Sequence, residues 1–189
     1  MERTLVLIKP DGVYRALIGE IIKRFEQAGL KIVAIKMVKP SKELVEKHYY
    51  ADKEWLESVG QKTKASYEKD GKIVKETPLE IGMRVRNTLL NYLTGKPVVA
   101  MVVEGNEAIF VVRKILGSTE PKSADPGSIR GSLSSDSYAF ADSQGRSTRN
   151  LVHASGDKKD AEREIPIWFS KDEIIEYKRA DEDAMFAEM

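Results

Sequence analysis

Three short runs of apolar and β-branched residues constrain the fold of this chain most strongly. They extend from Thr4 to Ile8, from Lys31 to Val38 and from Pro97 to Val103. The run from Thr4 to Ile8, without polar alternation, predicts a strand buried on both faces of a sheet, and the other two runs predict a second and a third strand. Helical spacing of apolar residues separates them, first from Leu17 to Ala28 and again from Pro78 to Leu93. The chain therefore alternates between strands and amphipathic helices.

Capping residues predict further elements. Ser41 is expected to cap a helix that ends near Tyr50, and Asn106 a helix that turns Ile109, Val112, Ile115 and Leu116 inward. A short helix from Asp157 to Ile165 and a strand from Ile165 to Phe169 should follow. The capping box from Ser170 to Glu173 should open a last helix. The order predicts an α+β fold, a ferredoxin-like βαββαβ sandwich with helices on one face of an antiparallel sheet.

Two segments interrupt this pattern within what we expect to be a single domain, residues 1–189. Residues 51–76 are rich in Lys, Glu and Ser and suggest an exposed helix and a short hairpin with a turn at Asp70-Gly71. Residues 117–149 have little periodicity and suggest a long active-site loop. We expect insertions near residues 51–87, the first insertion, and 132–148, the second insertion.

Composition excludes several classes of function. The 189 residues carry a net charge of +1, which does not favour non-specific nucleic-acid binding. The chain has no cysteine, which removes disulfides, thiolate catalysis and cysteine-zinc sites. No apolar run approaches the roughly 18 to 20 residues of a membrane span. The first residues lack the order of a signal peptide, so we expect a cytoplasmic protein without membrane or specific nucleic-acid partners.

His153 is the most informative candidate for chemistry. It is one of only two histidines, and Glu164 follows it at helical distance. A neutral imidazole near pH 7 can attack phosphorus or move a proton. The chain contains no Gly-x-x-x-x-Gly-Lys-Ser/Thr loop and no Gly-x-Gly-x-x-Gly motif. If the protein handles phosphate, separate side chains must hold it.

Several motifs occur in an order that resembles the nucleoside diphosphate kinase family. They are Leu5 to Val13, Pro97 to Val102, Pro126 to Gly131, Asn150 to Ser155, and Ala161 to Ile165 followed by Trp168-Phe169. The resemblance covers residues 1–50, 88–131 and 149–180. It implies the same fold and a ping-pong transfer of a γ-phosphate from a nucleoside triphosphate to a nucleoside diphosphate. It also implies Mg²⁺, held largely by the nucleotide, and a homo-oligomer, either hexamer or tetramer.

The resemblance assigns roles to individual residues. It makes His153 the phosphorylated residue, Glu164 the carboxylate that fixes its tautomer, and Ser155 the hydroxyl beside both. Further residues match phosphate-binding, ribose-binding, base-contacting or active-site positions of the family: Lys9, Tyr49, Leu89, Arg113, Thr119, Arg130 and Asn150. No residue is expected to form a dedicated metal site.

Departures from the family pattern leave alternatives open. Gly156 stands where the family has an aspartate, and Asp157 is a substitute one place later. An impaired member that serves as a nucleotide-binding scaffold therefore remains an alternative. The aromatic residue that stacks on the base is not assignable, with Trp55, Val85, Tyr138 and Phe140 as candidates. An RNA-recognition module is disfavoured, because the runs from Thr4 to Ile8 and from Pro97 to Val103 contain no aromatic residue.

Overall fold

A four-stranded antiparallel sheet forms the centre of the molecule. The computed structural model describes residues 1–69, 71 and 73–186. The strands are β1 (Glu2–Ile8), β2 (Lys31–Val38), β3 (Val98–Gly105) and β4 (Val152–Ala154), in the order β2-β3-β1-β4. Neighbouring strands are antiparallel. This arrangement confirms the predicted α+β fold of ferredoxin-like type.

Ten helices surround the sheet in the described part of the chain. They are α1 (Pro10–Tyr14), α2 (Ile18–Gln27), α3 (Lys42–His48), α4 (Lys53–Lys69), α5 (Pro78–Leu93), α6 (Ala108–Leu116), α7 (Ile129–Leu133), α8 (Tyr138–Ser143), α9 (Lys158–Trp168) and α10 (Glu182–Phe186). Short 3₁₀ turns lie at Pro121–Ser123 and Lys171–Glu173. No described helix is long and apolar enough to cross a membrane.

Helices cover both faces of the sheet. The crossover helices α2 and α6 pack on the face that holds Val6 and Ile8. On the opposite face, α3, α5 and α9 pack against Leu5 and Leu7. The expected placement of helices on one face thus describes α2, α6 and the short α7, while α3, α5 and α9 cover the other face. Since residues 5 to 8 of β1 are all fully buried, successive side chains need apolar partners on both sides.

The fourth strand differs from the prediction. The chain from Lys158 to Trp168 is one helix, and the expected strand from Ile165 to Phe169 is absent. Ile165, Trp168 and Phe169 pack on the sheet at helical spacing, which a short apolar run does not reveal. The strand is instead β4, whose three residues pair with β1 so that His153 lies opposite Leu7.

Two predicted helix starts also differ. Asn106 does not cap α6; its N-cap position is Glu107, at a φ of 46° and without a side-chain cap. The carboxylate of Glu2, from β1, accepts the hydrogen bond of the Ile109 amide at 2.8 Å instead. The capping box at Ser170 is formed, but it opens only the 3₁₀ turn. Ser41 caps α3 as predicted, accepting from the Leu44 amide.

The two predicted insertions contain regular structure. α4 is a helix of 17 residues that buries Leu56, Gly60, Thr63 and Tyr67, so the first insertion is only partly exposed. No hairpin occurs among its described residues, and Asp70, half of the predicted turn, lies outside them. The predicted long loop after α6 carries α7 and α8. Together α4 and α5 form a helical hairpin beside the sheet.

Candidate active site

A cleft of about 1230 Å³ lies between the α4–α5 hairpin and the segments that follow α6 and precede β4. Nine of the ten predicted site residues line it: Lys9, Tyr49, Leu89, Arg113, Thr119, Arg130, Asn150, His153 and Glu164. The tenth, Ser155, is fully buried and lies behind Glu164. The fold therefore brings together residues that are separated by up to 155 positions in the sequence.

His153, Glu164 and Ser155 form a connected chain of hydrogen bonds. Nε2 of His153 lies 3.0 Å from Oε2 of Glu164, and the Ser155 hydroxyl donates to the same oxygen at 2.8 Å. The amide of Leu5, on β1, donates to Oγ of Ser155 at 3.3 Å. The His153 side chain is 19% exposed and that of Glu164 only 4%. The imidazole thus reaches the cleft while its carboxylate partner is shielded.

The ionisation of Glu164 determines which nitrogen of His153 is free. Burial raises the pKa of Glu164, but the charge and hydrogen bond of His153 outweigh this and lower the pKa to about 2. An ionised carboxylate only accepts hydrogen bonds. In a neutral imidazole, Nε2 therefore carries the proton and Nδ1 holds the lone pair. Nδ1 is the nitrogen available to act as a nucleophile.

His48 and Arg163 support this pair, and sequence reasoning gave neither a catalytic role. The Trp168 indole donates to Nδ1 of His48 at 3.3 Å, and the His48 ring stands edge-on to His153 at 4.6 Å. Burial and the neighbouring His153 lower the pKa of His48 well below its ordinary value, so it is neutral. Arg163 donates to the second oxygen of Glu164 at 3.1 Å.

Among the described residues, His48, His153 and Glu164 place potential metal-ligating atoms within 4.8 Å of one another. Glu164 already accepts hydrogen bonds from Ser155, and the guanidinium of Arg163 supplies positive charge to it. These contacts occupy the oxygens that a cation would need. Within this group, the imidazole of His153 is held by its contact with Glu164.

Lys9 is a buried cation at the end of β1. Its Nζ donates to Oδ1 of Asn150 at 2.8 Å, and Nδ2 of Asn150 donates to the Thr119 carbonyl at 2.9 Å. Burial lowers the pKa of Lys9 to about 8; the charge of Asp11 opposes this shift, and Arg130 and Arg149 add to it. The ammonium is thus hydrogen-bonded to an amide, while the carboxylate of Asp11 acts on it only through its charge, so the Nζ group can also bind an anion.

Arg130 is also buried, and backbone carbonyls hold it. Its guanidinium donates to the carbonyls of Gly117 at 2.7 Å, Asn150 at 3.1 Å and Val152 at 2.6 Å. Burial lowers its pKa to about 10. Arg113, at the end of α6, is exposed at the rim and has no acidic partner in the described part of the chain. Within the described part of the chain, Lys9, Arg113 and Arg130 thus form no salt bridge, although the charge of Asp11 acts on Lys9 and Arg130.

A second network, which sequence reasoning missed, supports the segment before β4. The Tyr92 hydroxyl donates to Asp11 at 2.6 Å, and the other oxygen of Asp11 accepts from the Leu151 amide at 3.1 Å. Leu151 is fully buried at a φ of +66°, which is unusual for a branched residue. Its strained backbone lies between Asn150, directly before it, and His153, two residues after it. Asp11 belongs to the first motif, which is the one signal that pointed to it.

The departures near His153 have structural substitutes. Asp157 is the N-cap of α9 and accepts from the Asp160 amide at 2.8 Å, while the Gly156 amide donates to Asp160 at 3.3 Å. Asp157 thus anchors this turn one place later, as predicted.

Tyr49 is buried, and its ring lies 6.0 Å from the rings of both His153 and Trp55. Burial raises the pKa of Tyr49 above the usual range, so its hydroxyl is neutral.

Three of the four candidates for base stacking line the cleft, namely Trp55, Val85 and Tyr138. Phe140 is not among the lining residues; it is 56% exposed, and the guanidinium of Arg146 lies 5.3 Å from its ring. Leu89 faces the cleft from α5, one turn from Val85. This part of the cleft is therefore less polar than the end at His153.

Comparison with known proteins gives a consistent result. The sequence model of the family described as nucleoside diphosphate kinase matches residues 2–69 and 81–174. A nucleoside diphosphate kinase of Pyrobaculum aerophilum is 49% identical over 181 residues, which covers 93% of this chain and 99% of that protein. The unmatched residues between 69 and 81 lie inside the first insertion.

Solved structures show the same similarity. The crystal structure of an NDP kinase from Pyrobaculum aerophilum has a TM-score of 0.87 at 48% identity, covering 93% of this chain and 99% of that one. A transition-state mimic of the nucleoside-diphosphate kinase from Borrelia burgdorferi, with bound vanadate and ADP, has a TM-score of 0.81 at 41% identity. It covers 98% of this chain and 97% of that one.

Proposed function

Because this chain belongs to the nucleoside diphosphate kinase family, we propose that it transfers the γ-phosphate of a nucleoside triphosphate to a nucleoside diphosphate through a phosphohistidine on His153. The chain is a phosphotransferase that acts between nucleotides. The observation that carries the finer proposal is the 3.0 Å contact between His153 and Glu164 at the bottom of a cationic cleft.

In the first half-reaction, the lone pair of Nδ1 of His153 attacks the γ-phosphorus. The bond from phosphorus to the β,γ-bridging oxygen breaks, and the diphosphate leaves with that electron pair. The imidazole becomes positive during the attack, and the ionised Glu164 stabilises it through Nε2. A second diphosphate then attacks the phosphohistidine and reverses these steps, so that one site serves both substrates.

Lys9, Arg113 and Arg130 oppose the charge of the phosphates in this scheme. Guanidinium groups suit phosphate oxygens because their planar donors bind in pairs. Most N–H groups of Arg130 already donate to backbone carbonyls, so this residue contributes mainly the positive charge of a guanidinium held in a fixed position. Thr119 lines the cleft beside them, and Asn150, whose amide is shared between Lys9 and the Thr119 carbonyl, has one N–H left for a ribose hydroxyl.

Mg²⁺ fits this cleft as an ion carried by the nucleotide. The described carboxylates that line the cleft near His153 are engaged: Glu164 by Arg163 and His153, and Asp160 by Arg163. Phosphate oxygens would therefore supply most of its ligands. When bound, the ion would neutralise charge that develops on the phosphates. Lys9 and the two arginines would hold the remaining phosphate oxygens.

We also propose nucleoside triphosphates and diphosphates as the substrates, a single domain, a homo-oligomeric assembly of hexamer or tetramer type, and a cytoplasmic location. The related Borrelia burgdorferi structure contains ADP, which supports the substrate class. The exposed apolar side chains Ile35 and Met37 on edge strand β2 support an assembly, because an uncovered apolar edge favours association.

The scaffold alternative rests on Gly156. The intact contact between His153 and Glu164, together with the cap that Asp157 provides, favours an active enzyme. The active enzyme and the scaffold differ in whether the protein becomes phosphorylated by a nucleoside triphosphate.

Incubation with [γ-³²P]ATP and Mg²⁺, without an acceptor, tests the proposal. The wild-type chain should acquire acid-labile, alkali-stable label, and added diphosphate should remove it. His153→Asn, similar in size but not nucleophilic, should acquire none, while Asp172→Asn, exposed and remote from the cleft, should be labelled like the wild type. Label on the His153→Asn chain would refute the assignment, and an unlabelled but ADP-binding wild type would favour the scaffold.

A further inference from the structure

One face of α4 forms a continuous wall of the cleft. Its lining residues occur at helical spacing: Trp55, Ser58, Val59, Lys62, Thr63 and Tyr67. With a rise of about 1.5 Å per residue, the 12 steps from Trp55 to Tyr67 span about 18 Å. Trp55 is linked to His153 through the intervening ring of Tyr49. Tyr67 therefore lies at the end of this wall remote from Trp55 and His153.

At this remote end, α4, α5 and α8 meet through polar side chains. Tyr67 is 4% exposed, and its hydroxyl interacts with Asp142, on α8, and with Arg84, on α5. Nη1 of Arg84, on α5, lies 3.4 Å from Oδ1 of Asp142. The other side of the Arg84 guanidinium is fixed by Glu76, with both contacts at 3.1 Å. Asp142 thus joins α8 to both helices of the hairpin.

Hydrogen bonds on both sides of α8 hold this helix in place. The Tyr138 amide, at the start of α8, donates to the Glu120 carboxylate at 2.8 Å. After α8, Arg146 makes two hydrogen bonds to Asp136, at 2.6 and 3.1 Å. Asp136 also accepts from the Arg149 amide at 2.6 Å, directly before Asn150. α8 is therefore connected to the segment that positions the site.

We propose that Tyr67, Arg84 and Asp142 form a bridge over the end of the cleft that receives the nucleotide base, so that the base is enclosed and not open to solvent. The bridge rests on the proposed function, because it needs a nucleotide in this cleft. It is a specificity device: it sets how large a base, or a substituent on the base, the cleft admits.

The direction of the nucleotide supports this placement. The cations Lys9, Arg113 and Arg130 set the phosphate end beside His153. From there the cleft continues past Leu89 and Val85, two apolar side chains of α5 suited to a base, and Arg84 is the next residue. Three enclosing elements thus meet where the edge of the base remote from the ribose would lie. Tyr67, Arg84 and Asp142 all line the cleft, so the bridge faces the ligand.

Calorimetry with two ligands tests the bridge: ADP with Mg²⁺, and ADP that carries a large aryl group on the exocyclic amine of adenine. That amine is on the edge of the base farthest from the phosphates. The wild type should bind the aryl derivative at least tenfold more weakly than ADP. Asp142→Ala should weaken ADP binding about two- to fivefold, the scale of a partly exposed ion pair, and should reduce the discrimination between the two ligands at least threefold.

Tyr67→Phe removes only one hydroxyl and should also reduce the difference in affinity between the two ligands. This second variant keeps the proposal testable if Asp142→Ala does not fold. Asp172→Asn is the matched control and should behave like the wild type. If the wild type binds both ligands equally, or if both bridge variants discriminate like the wild type, the bridge proposal is wrong while the proposed function stands. If the wild type binds no ADP, the proposed function fails, and the bridge fails with it.

Discussion

At the scale of single residues, the buried ammonium of Lys9 lowers the stability of the folded protein while it places a positive charge in the cleft. It is buried, and its ammonium has an amide oxygen but no carboxylate at hydrogen-bond distance. The free energy of burying the charge appears as the low pKa of about 8. His153 differs from Lys9, because it has a carboxylate partner: Glu164 remains ionised and is held in position by its hydrogen bonds. In the proposed function, the unfavourable burial of the Lys9 charge is compensated when a nucleotide phosphate binds beside Lys9.

Lys9→Met should stabilise the protein without nucleotide at pH 7. Below about pH 8 the folded wild type must keep a buried charge, whereas the unfolded chain holds that proton up to its ordinary pKa of 10.5. The cost is thus present below pH 8 and disappears as the pH rises to 10.5. After the loss of the bond to Asn150 is subtracted, the expected gain at pH 7 is about 2 kcal/mol. Urea denaturation between pH 7 and 10 should show the gain shrinking.

The same variant should lose about 10²- to 10³-fold in kcat/KM, the scale for one preorganised cation or donor. In the wild type, kcat/KM should decline above about pH 8 as the free enzyme loses the Lys9 proton. Lys23→Met, an exposed lysine on α2, should alter neither the stability profile nor the rate. A Lys9→Met chain that is less stable than the wild type at pH 7 would contradict the buried-charge argument.

At the scale of elements, the α4–α5 hairpin depends on two glycines where the helices touch. A Cβ at Gly60 would lie 1.7 Å from the Pro78 carbonyl oxygen, and one at Gly82 would lie 2.1 Å from that of Leu56. Backbone therefore contacts backbone, and the wall of the cleft cannot accept even a methyl group there. The apolar periodicity predicted α5 correctly, from Pro78 to Leu93. No feature of the neighbouring sequence indicated that Gly60 and Gly82 lie where the two helices touch.

Gly82→Ala should separate α4 from α5 and destabilise the protein by about 2 kcal/mol, as expected for overpacking. Gly19→Ala, on α2, is the matched control, because a Cβ there meets nothing within 4 Å. It should stabilise the protein by about 0.5 to 1 kcal/mol through the loss of backbone freedom in the unfolded chain. Urea denaturation of both variants measures the difference, and equal stability of the two would show that the close contact carries no cost.

At the scale of the whole molecule, the site joins distant parts of one chain. β1 supplies the strand end at Lys9, the segment before β4 supplies Asn150, α9 supplies Glu164, and the α4–α5 hairpin closes the cleft. Because no single element contains the site, a nucleotide in the cleft should stabilise the folded state as a whole.

ADP with Mg²⁺ should therefore raise the melting temperature. At a concentration of about 100 times Kd, the stabilisation is about 2.7 kcal/mol. For a chain of this size that corresponds to roughly 5 to 11 °C. Adenosine at the same concentration, which lacks phosphates for Lys9, Arg113 and Arg130, should give a much smaller shift in scanning calorimetry. Equal shifts with both ligands would show that the cations do not hold the phosphates.

The sequence by itself placed several regular elements and predicted which residues would share one site. Apolar periodicity over eight residues or more placed β2 and α5, and the motifs named the residues from Lys9 to Glu164 that share the cleft. The tertiary structure alone decided that β4 carries His153, that Glu164 frees its Nδ1, and that Asp142 meets Arg84. Three residues are too few to show a period, and contacts between distant residues follow from packing, which periodicity and local propensity do not encode.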